Sequence, residues 1–306
     1  MKKIIPIAFC FDDNVLIAAG VCLTSLLEHA KTNTFYDVFI LHDAEARFPD
    51  TGYLERLRER YQNFKITYRR VGTIFQAAYE IRGITKAAYY RLLIPEIITE
   101  YDKIMYHDID VIFRDDLSEI FTCTNMLDEY VAGVALPYSE YEDYITGFIG
   151  VEANKYILSG NIIINSRKIM EDGLISDFIE EAKKEWKYQD MDIINLVCKN
   201  KIKYLPPSFS IVSRTSSEIL KDPNQNYYSK DEVDYAIKYG TIHYNGNKPW
   251  NTWCLNFDIW WEYYRKSPYF DLEFYYSFYC NKLDEYDYLP LLKRIKILLR
   301  YFKTKG

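Results

Sequence analysis

The chain lacks the cysteine pattern of a stapled or zinc-bound protein. Its six cysteines (Cys10, Cys22, Cys123, Cys198, Cys254, Cys280) are scattered, with no Cys-x-x-Cys pair. That excludes a disulfide framework and a zinc motif, and it suits a reducing, cytoplasmic setting. Long apolar runs are missing too: no stretch approaches the roughly 20 residues needed to span a bilayer. Met1 to Phe11 begins like a signal peptide, but Asp12 and Asp13 break the apolar run at the short limit for one, so a buried first strand is expected. Positive charge is in deficit overall. The formal net charge of −6 excludes nucleic acid as a partner on charge grounds. No Gly-x-Gly-x-x-Gly and no Walker loop occur, so the familiar dinucleotide and P-loop readings fall. Glycine and proline are few, at 12 and 10, and no internal repeat or low-complexity linker is present.

What remains is a globular composition. The 306 residues are 49% hydrophobic, enough for a substantial core. Thirty Tyr and 17 Phe make the chain unusually aromatic. Codon bias explains this blandly, and a surface for stacking on carbohydrate is the second reading. The basic charge is concentrated at the end: Leu291 to Gly306 carries six basic residues (Lys293, Arg294, Lys296, Arg300, Lys303, Lys305) and no acid. Leu289, Leu291, Leu292, Ile295, Ile297, Leu298 and Leu299 are mixed among them. Two readings fit: a helix lying on anionic lipid at the inner face of a membrane, or a last packed helix with a solvated basic face.

Taken in order, Ile4 to Phe11 reads as a buried strand. Val15 to Ala30 has helical periodicity, with Asp13 or Asn14 available as a cap. Asp37 to His42 and Phe64 to Tyr68 read as strands, with a short amphipathic helix over Thr51 to Gln62 between them. Thr85 to Ile94 reads as a helix carrying Arg91, limited by Pro95. Strands alternating with helices predict parallel pairing, with ligands bound beyond the carboxyl ends of the strands. Asp12, Asp13 and Asn14 stand at one such end. The second half is less regular. Strands are expected at Tyr130–Leu136, Asn161–Asn165, Ile202–Leu205 and Thr241–Tyr244, and helices across Ser166–Lys187 and Asp190–Lys199. Ser139 to Glu152 reads as a long lid or acceptor loop, and the Pro206-Pro207 and Ser-rich stretch to residue 217 as another loop.

The stretch Ile104-Met105-Tyr106-His107-Asp108-Ile109-Asp110-Val111 organises the rest. In an extended backbone Asp108 and Asp110 face one side and Ile109 the other. Adjacent carboxylates repel unless a cation lies between them. A divalent metal at the end of a buried strand fits, and so does a pair of solvated turn aspartates. Asp190-Met191-Asp192 has the same spacing, but it opens a helix instead of ending a strand. Further on, His243 begins the turn Tyr244-Asn245-Gly246-Asn247-Lys248-Pro249-Trp250. Gly246 permits close approach of a ligand, and Lys248 offers a point charge to phosphate. His243 either completes a metal shell with Asp108 and Asp110 or is an ordinary hydrogen-bonded loop residue. Two carboxylates, one imidazole and diphosphate oxygens form a mixed shell that suits Mn²⁺ (with Mg²⁺ as the alternative) better than Ca²⁺.

Five blocks together resemble glycosyltransferase family 8, which includes bacterial lipopolysaccharide galactosyl- and glucosyltransferases and glycogenin. They are Phe9-Cys10-Phe11-Asp12-Asp13-Asn14, Ala88-Tyr89-Tyr90-Arg91-Leu92, His107-Asp108-Ile109-Asp110, Tyr188-Gln189-Asp190-Met191-Asp192-Ile193-Ile194-Asn195, and His243 through Trp250. The resemblance runs from about residue 4 to 260. It implies an α/β protein of GT-A type, a Rossmann-like mixed sheet flanked by helices, over residues 1–265; composition alone adds a basic, helical tail over 266–306. The resemblance also implies a UDP-sugar donor, a saccharide or lipid-linked saccharide acceptor, Mn²⁺, and retention of anomeric configuration. Asp12 and Asn14 would contact uridine, with Cys10 and Phe11 lining the base. The His107-Asp108-Ile109-Asp110 block would flank ribose and metal, with His243 as the third protein ligand. Gly246 and Lys248 would hold the diphosphate, and Arg91, Gln189 and Asp190 would stand at the donor sugar and the reacting centre.

Two departures bear on the sugar. Met191 stands where the bacterial galactosyltransferases usually have Gln, and Leu158 where the family's block has a sugar-binding Asn. The His243–Trp250 turn is one residue shorter than the family's. The expected function is transfer of a hexose, from UDP-glucose or UDP-galactose, in cell-surface polysaccharide or lipopolysaccharide synthesis. The alternatives are a UDP-sugar-binding relative without turnover and a metal-dependent nucleotidyltransferase or phosphohydrolase.

Overall fold

β1 (Lys3–Cys10) is buried on both faces, which is why its sequence is a nearly unbroken apolar run. Ile5, Ile7, Phe9 and the following Phe11 join Ala19, Cys22, Leu23 and Leu26 of the helix Leu16–Glu28 in one cluster. Ala8 and Cys10 point the other way, into a cluster with Tyr89, Leu92, Ile94 and Ile193. The computed structural model describes residues 2–75, 78–79, 86–136, 142–212 and 228–305, with side chains to 299.

β1 pairs in parallel with β2 (Thr34–His42) and β4 (Ile104–His107), and β2 with β3 (Phe64–Arg70). The parallel rule stops there. β7 (Ile157–Ile164) runs antiparallel to both β4 and β6 (Val131–Ala135), and β8 (Ile202–Tyr204) lies parallel to β6. The result is a mixed seven-stranded sheet of order β3-β2-β1-β4-β7-β6-β8. A second sheet has the order β5-β10-β9, from β5 (Val111–Ile112), β9 (Ile211–Val212) and β10 (Ile242–His243).

The chain crosses from the large sheet to the small one between His107 and Val111. Asp108, Ile109 and Asp110 therefore form a bend and not the extended strand expected from their alternation. Other elements also differ from expectation. Asp13 and Asn14 do not cap the first helix: Asp12 caps a 3-10 turn at Asp13–Val15 by accepting from Asn14 N. Asp13 instead accepts from the backbone of Arg47 and Phe48. The helix expected over Thr51 to Gln62 is two pieces, Phe48–Thr51 and a 3-10 stretch Tyr53–Glu59, divided by Gly52 at φ 66°. Arg91 lies on a 3-10 helix, Lys86–Leu93, and Pro95 stands inside the turn that follows, Ile94–Ile97. The expected loop at Ser139–Glu152 is helical over Glu142–Tyr144 and forms a π turn at Ile145–Ile149, closed by Gly150 at φ 72°. Its first residues, like Thr85 and 213–217, lie outside the described residues.

The last part of the chain packs on the first helix. Helix Phe257–Lys266 buries Trp260, Trp261 and Tyr264 in a third cluster with Val21 and Phe278. Tyr269 lies so close to Gly20 that a Cβ there would stand 2.5 Å from its ring. Helix Leu272–Asp287 follows, then Leu291–Lys305. On that last helix Leu291, Leu292, Ile295, Ile297, Leu298 and Leu299 are all exposed. No helix among the described residues is long and apolar enough to cross a membrane.

Candidate active site

Register, more than local sequence, assembles the site. His243 pairs with both Val111 and Val212 in the small sheet, so it arrives one residue from Asp110. Tyr244 N then donates to Asp110 O at 2.9 Å. In the large sheet His107 pairs with Asn161, and Asp108 N donates to Gly160 O at 2.7 Å. Asp108, Asp110 and His243 thereby bring one ligand atom each within 4.8 Å of one another. His243 Nε2 is 3.3 Å from Asp110 Oδ1 and 3.6 Å from Asp108 Oδ2.

These residues fit a divalent cation. Asp110 Oδ1 is buried without a hydrogen-bond partner, an arrangement that costs free energy unless something binds there. Gly160 keeps the space open: a Cβ would stand 2.4 Å from Asp108 Oδ2 and 2.7 Å from His243 Cε1. Lys248 bonds the other Asp110 oxygen and donates to Tyr244 O at 2.7 Å. Burial opposes ionisation of Asp110, but the His243 ring and the Lys248 ammonium win and hold its carboxyl well below the usual range.

Arg91 ties this cluster to the start of helix Asp190–Val197. Its guanidinium is buried and sits 2.9 Å from Asp108 Oδ1 and 3.2 Å from Asp190 Oδ2. Ser159 Oγ donates to Asp190 at 2.7 Å, and Tyr106 OH donates to Asp108 at 2.5 Å. Burial works against the Arg91 charge, yet Asp108 and Asp190 raise its affinity for the proton beyond the ordinary value. Asp190 goes the other way from Asp110: burial first, then the charge of Asp108, raises its carboxyl despite Arg91 and Ser159. Three carboxylates, Asp108, Asp110 and Asp190, thus face the Arg91 guanidinium and the Lys248 ammonium.

The remaining expected residues are distributed around this centre. Asp12 lines a pocket of about 250 Å³ with Asp43, Val71, Thr73, Lys86 and Tyr90, beyond the carboxyl ends of β1, β2 and β3. Asn14, two residues beyond Asp12, is exposed. Gly246 lies with His243, Tyr244 and Asn256 along a second pocket of about 210 Å³. A Cβ at Gly246 would meet nothing within 4 Å, so the fold itself does not demand glycine there. Cys10 is buried against Arg91 and Tyr106, and burial pushes its thiol up. Phe11 turns inward and stacks on Phe48 at 5.0 Å, and Ile109 packs on the same core. His107 turns away from the cluster towards Asn161, Phe113 and Phe209, and burial lowers its pKa to about 3. Gln189 is strained at φ 49°, and its side chain donates to Tyr79 O at 2.9 Å. Asp192 stays out of the cluster and accepts from Tyr144 OH, Tyr156 OH and Tyr188 N.

Sequence reading missed Tyr106, Ser159, Gly160 and Asn161 as members of the site. Ser159 and Gly160 follow Leu158 in the block that resembles the family's, but what brings all four to the site is topological: β7 lies beside β4. Leu158 and Met191 belong together in a way their positions do not disclose. Both pack in or against one apolar cluster with Ile145, Ile149 and Val212.

Comparison with known proteins agrees with this geometry. The family model described as Glycosyl transferase family 8 matches residues 6–254. A lipopolysaccharide 1,2-glucosyltransferase of Escherichia coli is 26% identical over 264 residues, 83% of this chain and 75% of that protein. General stress protein A of Bacillus subtilis (strain 168) is 25% identical over 294 residues, 91% of this chain and 95% of that one. Among solved structures, the galactosyltransferase LgtC in complex with donor and acceptor sugar analogs has a TM-score of 0.74 at 25% identity, over 88% of this chain and 98% of that chain. The apo bifunctional glycosyltransferase WbbM has a TM-score of 0.73 at 23% identity over 90% of this chain, which spans only 52% of that protein. Sheet, flanking helices and neighbours define a GT-A glycosyltransferase fold. The chain belongs to glycosyl transferase family 8 and is related to the lipopolysaccharide glucosyl- and galactosyltransferases.

Proposed function

We propose that the protein is a retaining hexosyltransferase that moves glucose or galactose from a UDP-sugar to a glycan or lipid-linked saccharide in cell-surface polysaccharide synthesis. The observation that carries this reading is the convergence of Asp108, Asp110 and His243 beside Lys248, with the Arg91–Asp190 pair adjoining. Those three ligands would hold Mn²⁺, or Mg²⁺ in its place, which when bound supplies Lewis-acid stabilisation of a diphosphate leaving group. Asp12 and Asn14 would take the nucleoside in the pocket at the strand ends, with Cys10, Phe11 and Ile109 shaping it from behind. Lys248 and Gly246 would take the diphosphate. Arg91 and Asp190 would orient the sugar, with Gln189 bracing the turn that presents Asp190.

No side-chain nucleophile stands at the Met191 position, so displacement on the front face is the reading adopted. The bond from the anomeric carbon to the acceptor oxygen forms as its bond to the phosphate oxygen breaks. The acceptor's hydroxyl proton passes to the departing phosphate. Lys248 meets the charge that develops there. We assign transfer to residues 1–265 and contact with an anionic membrane surface to the tail, 266–306, because its last helix exposes apolar residues among basic ones.

A second reading, a UDP-sugar binder without turnover, is favoured by the burial of Leu158 and the packing of Met191 in apolar surroundings. Incubation with each UDP-hexose, Mn²⁺ and an oligosaccharide acceptor separates the two. The transferase reading expects a product with the donor's anomeric configuration. An inverted product, or a covalent glycosyl–enzyme species in the mass spectrum, would refute the front-face route. Neither transfer nor slow hydrolysis would favour the binder.

A further inference from the structure

We propose that Tyr106 sets the metal preference of the site: its hydroxyl occupies one oxygen of Asp108, so this carboxylate has a single oxygen left for a cation. The proposal rests on the metal reading above and adds a positioning residue to it. Tyr106 is fully buried on β4, paired with Ala8 on one side and Ile162 on the other. Residues two apart on a strand face the same way. Asp108 has left β4, but its N–H still bonds Gly160 O at 2.7 Å, so the phenol reaches the carboxylate two residues on. The Tyr106 hydroxyl donates to Asp108 Oδ1 at 2.5 Å, and Arg91 Nη2 donates to the same oxygen at 2.9 Å. Among the described residues both donors to this carboxylate go to Oδ1. Together they fill its lone-pair sites. Oδ2 faces the other way, towards His243 Nε2 at 3.6 Å and the space that Gly160 keeps open.

A cation that took Oδ1 as well would have to displace a donor. Displacing Tyr106 would leave a buried hydroxyl without a partner, which costs free energy. Arg91 cannot give way either. Its Nε donates to Ala88 O at 2.8 Å, its Nη1 is 3.2 Å from Asp190 Oδ2, and its charged plane lies 4.4 Å from the centre of the Tyr106 ring. Phenol and guanidinium thus brace each other, and Asp108 is a one-oxygen ligand by construction. Lys248 holds one oxygen of Asp110 in a similar way, but the reading above draws its charge to the diphosphate, so the Tyr106 block is the lasting one. The consequence is selectivity. Ca²⁺ takes about six to eight oxygens and readily uses both oxygens of one carboxylate. Mn²⁺ and Mg²⁺ favour octahedral shells, in which one oxygen per carboxylate suffices. Closing Oδ1 therefore works against Ca²⁺ and leaves the smaller ions a fixed Oδ2.

The test is calorimetric titration of the full chain with Mn²⁺ and, separately, with Ca²⁺, each at saturating UDP. It compares the wild type with Tyr106→Phe, which keeps the ring beside Arg91 and removes only the hydroxyl. The wild type should bind Mn²⁺ the more tightly. Tyr106→Phe should lose about 10- to 100-fold in Mn²⁺ affinity, the usual effect of removing a group that orients a ligand. It should bind Ca²⁺ no more weakly than the wild type, so the preference shrinks by about tenfold or more. His243 disfavours Ca²⁺ in both proteins, so the change in preference is what reports on Tyr106. Equal weakening of both ions is the signature of a merely structural hydroxyl and overturns the proposal. So does a preference that stays the same or widens. Tyr106→Leu, also without the hydroxyl, replaces the first variant if that one does not fold. A wild type that binds Ca²⁺ as tightly as Mn²⁺ overturns the proposal whatever either variant does, and leaves the metal reading standing. Failure of the wild type to bind either ion with UDP sinks the metal reading and the proposal with it.

Discussion

Gly160 has no room for a side chain, because its α-carbon faces the gap between Asp108 and His243. Gly160→Ala should therefore spread the cluster at a cost of about 1–3 kcal/mol, the usual range for overpacking. Chemical denaturation should read that loss, and Mn²⁺-dependent stabilisation should disappear. Asp190 makes the opposite prediction for stability. Burial raises its folded-state carboxyl above the unfolded value. Such a group costs stability in full at every pH above both values, and the cost fades as pH falls through the raised folded value and is gone below the unfolded value of about 4. Asp190→Asn should thus match or exceed the wild-type melting temperature at pH 7, with the gain shrinking towards pH 4, while sugar transfer is lost. Asp110 has the reverse sign. Its depressed carboxyl stabilises the fold at neutral pH, and that contribution is lost as pH falls.

Among the elements, the bend between β4 and β5 and the start of helix Asp190–Val197 do different work with the same Asp-x-Asp spacing. Asp192 is fully buried and holds Tyr144 and Tyr156, so it fastens the π-turn segment to the helix. Asp192→Asn should cost about 2–4 kcal/mol, since it weakens hydrogen bonds to a charged acceptor. It should leave the Mn²⁺-dependent shift intact, and a denaturation series with and without metal checks both points. The same elements mark what sequence could disclose. The apolar run of β1 and the periodicity of the first helix were legible, because burial on both faces and on one face leave direct patterns. Asp108, Asp110 and His243 were legible as residue types, and their backbone was not. Alternation predicts a strand, but the chain leaves one sheet for another at that point. The pairing of His107 with Asn161 lies in the register of β4 and β7, which joins residues 54 positions apart, and no local pattern carries it.

At the scale of the whole molecule, charge and apolar exposure are segregated. A chain of net charge −6 ends in a helix that mixes basic residues with exposed leucines and isoleucines. Vesicles containing anionic lipid should bind the full chain, with affinity falling as salt rises, and neutral vesicles should not. Removal of residues 289–306 should abolish that binding and leave the melting temperature nearly unchanged. Unchanged vesicle binding after the deletion would contradict a membrane role for the tail. The central claim is a cation-assisted UDP site at the crossing between the two sheets. Its most direct measurement is the melting temperature with UDP, UDP-glucose, UDP-galactose and UDP-N-acetylglucosamine, each with and without Mn²⁺, for the wild type and for Asp110→Ala. The account predicts stabilisation by at least one UDP compound, enhanced by Mn²⁺ in the wild type but not in Asp110→Ala. No shift with any UDP compound, or a Mn²⁺ enhancement that survives in Asp110→Ala, would contradict it.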